Sequence, residues 1–171
     1  MAMIDHERLL SSLHKPDLYP HAFSSITMLE THISWVILTG TYAYKIKKPV
    51  DFGFLNFASL AKRKFYCEEE LRLNRRFSEG LYIDVVSITG TVDHPQINGS
   101  GNVLAYAVRM TEFAQHNVLS NYIRDRGLSH DQVDALADTL VQFHQRATRS
   151  IDGAAATPSY GSIAAVAQPS Q

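Results

Sequence analysis

Hydrophobic and polar residues alternate most regularly between Thr39 and Val50, where the chain reads T-G-T-Y-A-Y-K-I-K-K-P-V. Successive side chains of a strand point to opposite faces, so Tyr42, Tyr44 and Ile46 share one face and Ala43, Lys45 and Lys47 the other. From Ser25 onward, two earlier β-rich runs, S-I-T-M-L and W-V-I-L, are set apart by the polar E-T-H-I-S, and a tight T-G-T leads into the third. An antiparallel three-strand meander is the simplest arrangement. After Gly80, L-Y-I-D-V-V-S-I-T-G-T-V reads as a fourth strand and V-L-A-Y-A-V-R-M-T-E-F as a fifth. The polar D-H-P-Q-I-N-G-S-G-N between them reads as a long hairpin loop.

Elsewhere the period is helical. Residues 5–13 form a short helix with Leu9, Leu10 and Leu13 on one side, ended by the Pro16 and Pro20 region and expected to pack on the outside of the strands. Ser59 suits the N-cap of a helix from Leu60 to Ser78. At 100° per residue, Leu60, Tyr66, Cys67, Leu71, Leu73 and Phe77 occupy one arc of it; Glu70 falls inside the arc, whereas Glu68 and Glu69 fall outside. A carboxylate on a packed face needs a cation, and the strand bearing Lys45 lies just upstream. Between strand and helix, P-V-D-F-G-F-L-N-F-A should tuck Phe52, Phe54 and Phe57 against the core. Past the fifth strand come a helix over Asn117–Asp125, a stop at Gly127, and a helix opened by Ser129 and Gln132 in capping-box spacing. Val133, Leu136, Ala137, Leu140, Phe143 and Ala147 recur along it with helical period. From Ile151 the chain is small, polar and unpatterned, and poor order is expected there.

Composition changes this picture little. With 45% apolar and 19% charged residues in 171, the chain can bury a core. A net charge of -1 offers no global attraction to nucleic acid or membrane. Locally, nine of the sixteen Lys and Arg residues lie between Lys45 and Arg76 against four acids, either as a positive surface or as solvated strand and helix faces. Cys67 stands alone, so neither a disulfide nor a Cys-based zinc site forms within one chain. The eight histidines show no metal-ligand spacing, and His144 reads as structural. Acids in M-A-M-I-D-H-E-R disfavour a signal peptide, and no apolar run approaches membrane-spanning length. A cytoplasmic protein, or part of one, is expected.

Three strands, a long helix with a buried glutamate, two strands and then helices is the order of a protein-kinase-like small lobe entering its large lobe. The segment E-T-H-I-S-W-V-I-L-T-G-T-Y-A-Y-K-I-K-K-P-V-D-F-G-F-L, with C-E-E-E-L-R-L-N-R-R and Y-A-V-R-M, resembles the aminoglycoside-phosphotransferase-like family, and within it the bacterial proteins in which such a domain precedes a P-loop ATP-binding domain. The resemblance spans residues 25–148. It implies an α+β fold: a small lobe with a five-stranded antiparallel sheet and one long helix, followed by the first large-lobe helices. Its divisions are a helical extension over 1–24, small lobe and hinge over 25–113, the start of the large lobe over 114–150, and a tail over 151–171.

The resemblance also implies roles. Ala43-Tyr44-Lys45 is similar to the A-x-K of the third kinase strand, whose lysine meets the α and β phosphates of ATP, and Glu70 to the helix glutamate that holds it. Lys47, on the same face, is the alternative phosphate ligand; Glu69 is the alternative to Glu70, and Arg63 an alternative partner for it. The Glu30–Ser34 turn takes the place of the phosphate-covering loop without its glycines, with Thr31 and Ser34 as contacts or simply as turn formers. Met110 to Phe113, including Glu112, is similar to the hinge that reads adenine.

Asp51-Phe52-Gly53 spells the magnesium-binding D-F-G but stands too early and reads as a turn. Asp93 and Asn98 match catalytic-loop spacing only by coincidence. The H-G-D-x-H-x-x-N loop and the magnesium ligands of the family are absent from the sequence, so ATP and Mg2+ are expected cofactors of a longer protein and this chain is expected to be inactive alone. The alternatives are a non-catalytic kinase-like scaffold whose Lys45–Arg76 surface binds a partner protein or domain, with self-association or packing against a missing C-terminal part expected along the Leu136, Leu140 and Phe143 face, and a less favoured nucleic-acid-binding fragment that uses the same basic segment.

Overall fold

The period-two runs become β1 (Thr27–Glu30), β2 (Ser34–Leu38), β3 (Tyr42–Lys47), β4 (Tyr82–Gly90), β5 (Pro95–Ile97) and β6 (Val103–Thr111), which form one antiparallel sheet in the order β1-β2-β3-β6-β4-β5. The computed structural model describes residues 5–21, 25–78 and 80–146. The chain divides into two compact units, Met1–Phe113 and Ala114–Gln171. Together with helices α1 (His6–Ser12), α2 (Leu60–Asn74), α3 (Leu119–Arg126) and α4 (His130–Arg146), the sheet makes this an α+β protein.

Among the described residues the sheet has six strands rather than five. The extra one, β5, lies inside the segment read as a hairpin loop and pairs Ile97 with Ile88 and Pro95 with Gly90. It escapes pattern reading because it has three residues and begins with proline, which only an edge strand accommodates. Asp93 and Asn98 are structural here. Asp93 accepts two bonds from Arg8 (2.7 and 2.6 Å), and Asn98, at φ 52°, accepts the Ser87 N–H at 2.9 Å.

Cross-strand register sorts the side chains into two faces. Tyr44 lies opposite Ile37 and Arg109, and Ile46 opposite Trp35 and Ala107; Val86 and Ile88 of β4 continue this face. It carries the main core, and Leu9, Leu13 and Tyr19 pack into that core. The N-terminal helix is thus a wall of the core rather than an outer layer. The Tyr19 hydroxyl, raised in pKa by burial and by Tyr44, donates to the Leu13 carbonyl at 2.7 Å.

The other face holds Ala43, Lys45 and Lys47, with α2 laid over β4 and β6. Ser59 caps α2 by accepting the Lys62 N–H at 3.2 Å. The helix ends four residues earlier than its pattern suggests. Asn74 donates to the Glu70 carbonyl and Ser78 to that of Asn74, while Arg75 donates to the Tyr82 and Ile83 carbonyls and leads the chain into β4. Arg63 and Cys67 are its buried residues, whereas Leu73 and Phe77 are exposed. Arg63 is tolerated inside because its guanidinium donates to the Phe57 and Ala58 carbonyls, both at 3.0 Å.

Of the three phenylalanines expected to tuck inward, only Phe57 does; Phe52 is half-exposed and Phe54 is 84% exposed. Asp51 accepts the Gly53 N–H at 3.0 Å with Gly53 at φ 79°, and Asp51 bridges Asn56, so the loop closes within six residues and turns its tip outward. The D-F-G triplet is this turn.

In the second unit, Ser129 Oγ accepts the Gln132 N–H at 3.3 Å and Gln132 Oε1 accepts the Ser129 N–H at 3.0 Å, a complete capping box opening α4. Gly127, at φ 71°, ends α3. Val133, Leu136 and Leu140 are exposed on α4. Ala147 and residues 151–171 lie outside the described residues.

Candidate functional site

Strand β3 sends Lys45 and Lys47 from the same face toward α2, and α2 answers with one carboxylate. Lys45 Nζ donates to Glu70 Oε1 at 2.7 Å, and Lys47 Nζ donates to Glu70 Oε2 at 2.6 Å. The candidates Lys45 and Glu70 therefore meet across 25 residues of chain, and Lys47 joins them. Burial alone would raise the Glu70 carboxyl, but the charges and hydrogen bonds of Lys45 and Lys47 outweigh it and hold the pKa below its ordinary value. Glu69 instead pairs with Arg72 at 2.7 Å on the exposed side of the helix, and Arg63 bonds carbonyls rather than Glu70.

Lys45 lies opposite Val36 of β2 and Val108 of β6; Ala43 lies between Leu38 and Met110. Leu29 of β1 adds to the row through Val36. Ala43 is buried, Val36 and Leu38 are half-buried, and Leu29 is exposed. A partly open apolar floor thus adjoins the lysine-carboxylate cluster on one sheet face. Tyr82 belongs to this face as well. A register shift between Tyr82 and Asp84 sets Tyr82 opposite Met110 and Asp84 opposite Arg109, which plain alternation would have put on one side. The Tyr82 hydroxyl is raised in pKa by burial, with Glu70 adding to the effect.

Thr31 and Ser34 build the β1–β2 turn. The Thr31 N–H donates to the Ser34 carbonyl at 2.9 Å, while Thr31 Oγ1 accepts the Ser34 N–H at 3.0 Å. Ser34 is fully buried opposite Lys47, and its hydroxyl finds no hydrogen-bond partner among the described residues. At the end of β6, Met110 is in the ladder, the Glu112 N–H donates to the Thr41 carbonyl at 3.0 Å, and Glu112 Oε2 accepts the Thr39 and Gly40 N–H groups at 2.8 and 2.7 Å. Glu112 therefore ties the β2–β3 turn to the last strand through its side chain, a role hidden by more than seventy residues of separation.

Cys67 lies beneath the cluster, and burial pushes its thiol up to about 11, which makes it a packing group rather than a nucleophile. Among the described residues, no group of three His, Cys, Asp or Glu could hold a metal ion. No described helix is long and apolar enough to cross a membrane. A cleft of about 490 Å³, lined by Lys15, Asp17, Asp93, His94 and Gln96 among others, contains none of the sequence-derived site residues.

No family model and no solved structure matches the chain. The chain is 30% identical over 125 residues to the uncharacterized protein Rv2004c of Mycobacterium tuberculosis and, with the same coverage, to the uncharacterized protein Mb2027c of Mycobacterium bovis. The match takes in 73% of this chain and 24% of each relative, so the chain spans about a quarter of their length.

Proposed function

We propose that this chain is the nucleotide-binding N-terminal part of an aminoglycoside-phosphotransferase-like small-molecule kinase. The observation that carries the reading is the Lys45–Glu70 ion pair beside the apolar floor of Leu29, Val36, Leu38 and Ala43. A flat base needs a smooth apolar surface, and a triphosphate needs a fixed cation next to it; the two lie on adjacent strand positions here. Lys45 is the residue suited to hold a phosphate, since Lys47 and the Ser34 hydroxyl are buried and Thr31 spends its N–H and hydroxyl within the turn. Both Glu70 oxygens are taken by lysines, so Glu70 is unsuited to magnesium. When bound, Mg2+ would neutralise phosphate charge, and on this reading its ligands come from other parts of a longer protein. There the reaction would be phosphoryl transfer to a hydroxyl of a small molecule.

Calorimetry with ATP and magnesium tests this. The wild-type chain should bind at micromolar to low-millimolar concentration, and Lys45→Ala should weaken binding by about tenfold or more, the worth of one charge-assisted contact. Absence of binding by a wild-type chain that circular dichroism shows to be folded would remove the reading.

A second reading, a self-associating scaffold, is favoured by the exposure of Leu136 and Leu140 on α4. If it holds, sedimentation will show a concentration-dependent dimer that Leu136→Asp with Leu140→Asp abolishes. A monomer at all concentrations would exclude it. Binding of nucleic acid has less support, because most basic side chains of the segment are already engaged by groups of the protein itself. Lys45, Lys47, Lys48, Lys64 and Arg72 are ion-paired, and Arg63 and Arg75 donate to carbonyls.

A further inference from the structure

Glu70 offers one oxygen to each of two lysines, and the two lysines are not equivalent. The Lys47 side chain is 5% exposed and its ammonium sits 4.9 Å from the centre of the Phe57 ring. The Lys45 side chain is 28% exposed and stands between Val36 and Val108, next to the partly open floor. Glu70 itself is 12% exposed. With a single cation partner, a carboxylate this buried would resist giving that partner up, because an unpaired charge in such a place is strongly disfavoured. Two ammonium groups against one carboxylate leave one positive charge in the cluster, and the more exposed lysine is the one able to use it.

We propose that Lys47 is the fixed counter-ion of Glu70 and Lys45 the exchangeable one. Lys45 can then turn from the carboxylate to a phosphate oxygen while Glu70 stays neutralised and in place. Lys47 is on this view a positioning residue that acts through Glu70. That the incoming anion is a phosphate rests on the nucleotide reading; the division between the lysines does not.

The test compares Lys45→Met with Lys47→Met, which keep an apolar stem and remove the charge. Without ligand, Lys45→Met should move the thermal midpoint by less than about 4 °C, as for a partly solvated pair. Lys47→Met, which leaves Glu70 held only by the more solvated Lys45, should lower it by on the order of 10 °C, with Lys47→Arg restoring much of the loss. In the wild-type chain labelled with 13C at the lysine ε carbon, ATP with magnesium should shift the Lys45 resonance and leave that of Lys47 in place. A merely structural role for both lysines would not produce that difference. Equal losses in the two methionine variants, or an ATP-induced shift of Lys47 as large as that of Lys45, would overturn the proposal. Unequal losses without ATP binding would sustain the division of roles and remove the nucleotide reading; ATP binding weakened by Lys45→Ala with equal losses would do the reverse.

Discussion

Glu70→Gln should lower the unfolding free energy of the Met1–Phe113 unit by about 3–5 kcal/mol, the usual cost of stripping one partner from a buried ion pair. The substitution keeps the shape of the side chain and removes its charge. The ammonium of Lys47, whose side chain is 5% exposed, is then left with a neutral amide and the Phe57 ring, neither of which offsets its desolvation. Urea unfolding followed by the fluorescence of Trp35, the only tryptophan, reads this unit directly because Trp35 lies on the sheet opposite Ile46. A loss below about 1 kcal/mol would mean that the cluster is solvated and contributes as little as a surface pair.

The same variant fixes the sign of a pH effect. Glu70 has a folded-state pKa below its ordinary value of 4.5, so the unfolded chain binds its proton more tightly than the folded one. The stabilisation is fully present above that ordinary value and drains away as pH falls through the folded-state value. The gap between wild type and Glu70→Gln should accordingly be constant near neutrality and close progressively below pH 4.5. A gap independent of pH down to full protonation would assign the loss to shape rather than charge.

Leu13→Ala should cost about 2–5 kcal/mol, since Leu13 is fully buried in the main core and its truncation leaves a cavity there. The Tyr19 hydrogen bond to the Leu13 carbonyl uses backbone and survives the change, so the loss reports packing. Phe54→Ala, at a tip 84% exposed, serves as the control and should stay within about 0.5 kcal/mol. If Leu13→Ala were equally mild, the N-terminal helix would not be part of the folded core in solution.

Several elements were legible because their signals are local. A strict period of two over Tyr42–Lys47 dictates a strand whatever surrounds it, and Ser59 and the Ser129–Gln132 pair cap helices through groups three residues apart. Glu70 was identifiable as a carboxylate on the packed side of the helix because helical geometry alone set it inside the apolar arc. The packed face of the helix stops short of the C-terminal end of that arc. Leu73 and Phe77 are apolar yet exposed, while Arg63 is buried, and hydrophobicity says nothing of carbonyls waiting at Phe57 and Ala58. The three-residue β5 and the outward Phe54 were likewise out of reach, one for want of length and the other because Asp51 and Asn56 close the loop.

By itself, then, the sequence determined where the longer strands and helices lie and that Lys45 and Lys47 share a face, because those follow from backbone periods of 2 and 3.6. Which lysine is buried and which remains open could not follow from alternation, which treats positions two apart as equals. That was decided by Phe57 and Glu70, ten and twenty-three residues beyond Lys47, closing over one end of β3. The face taken by Tyr82 was decided by a register shift, and the role of Glu112 by a turn 72 residues away. Burial and electrostatic partnership belong to the assembled molecule, since desolvation depends on everything that surrounds a charge and not on its neighbours in the chain.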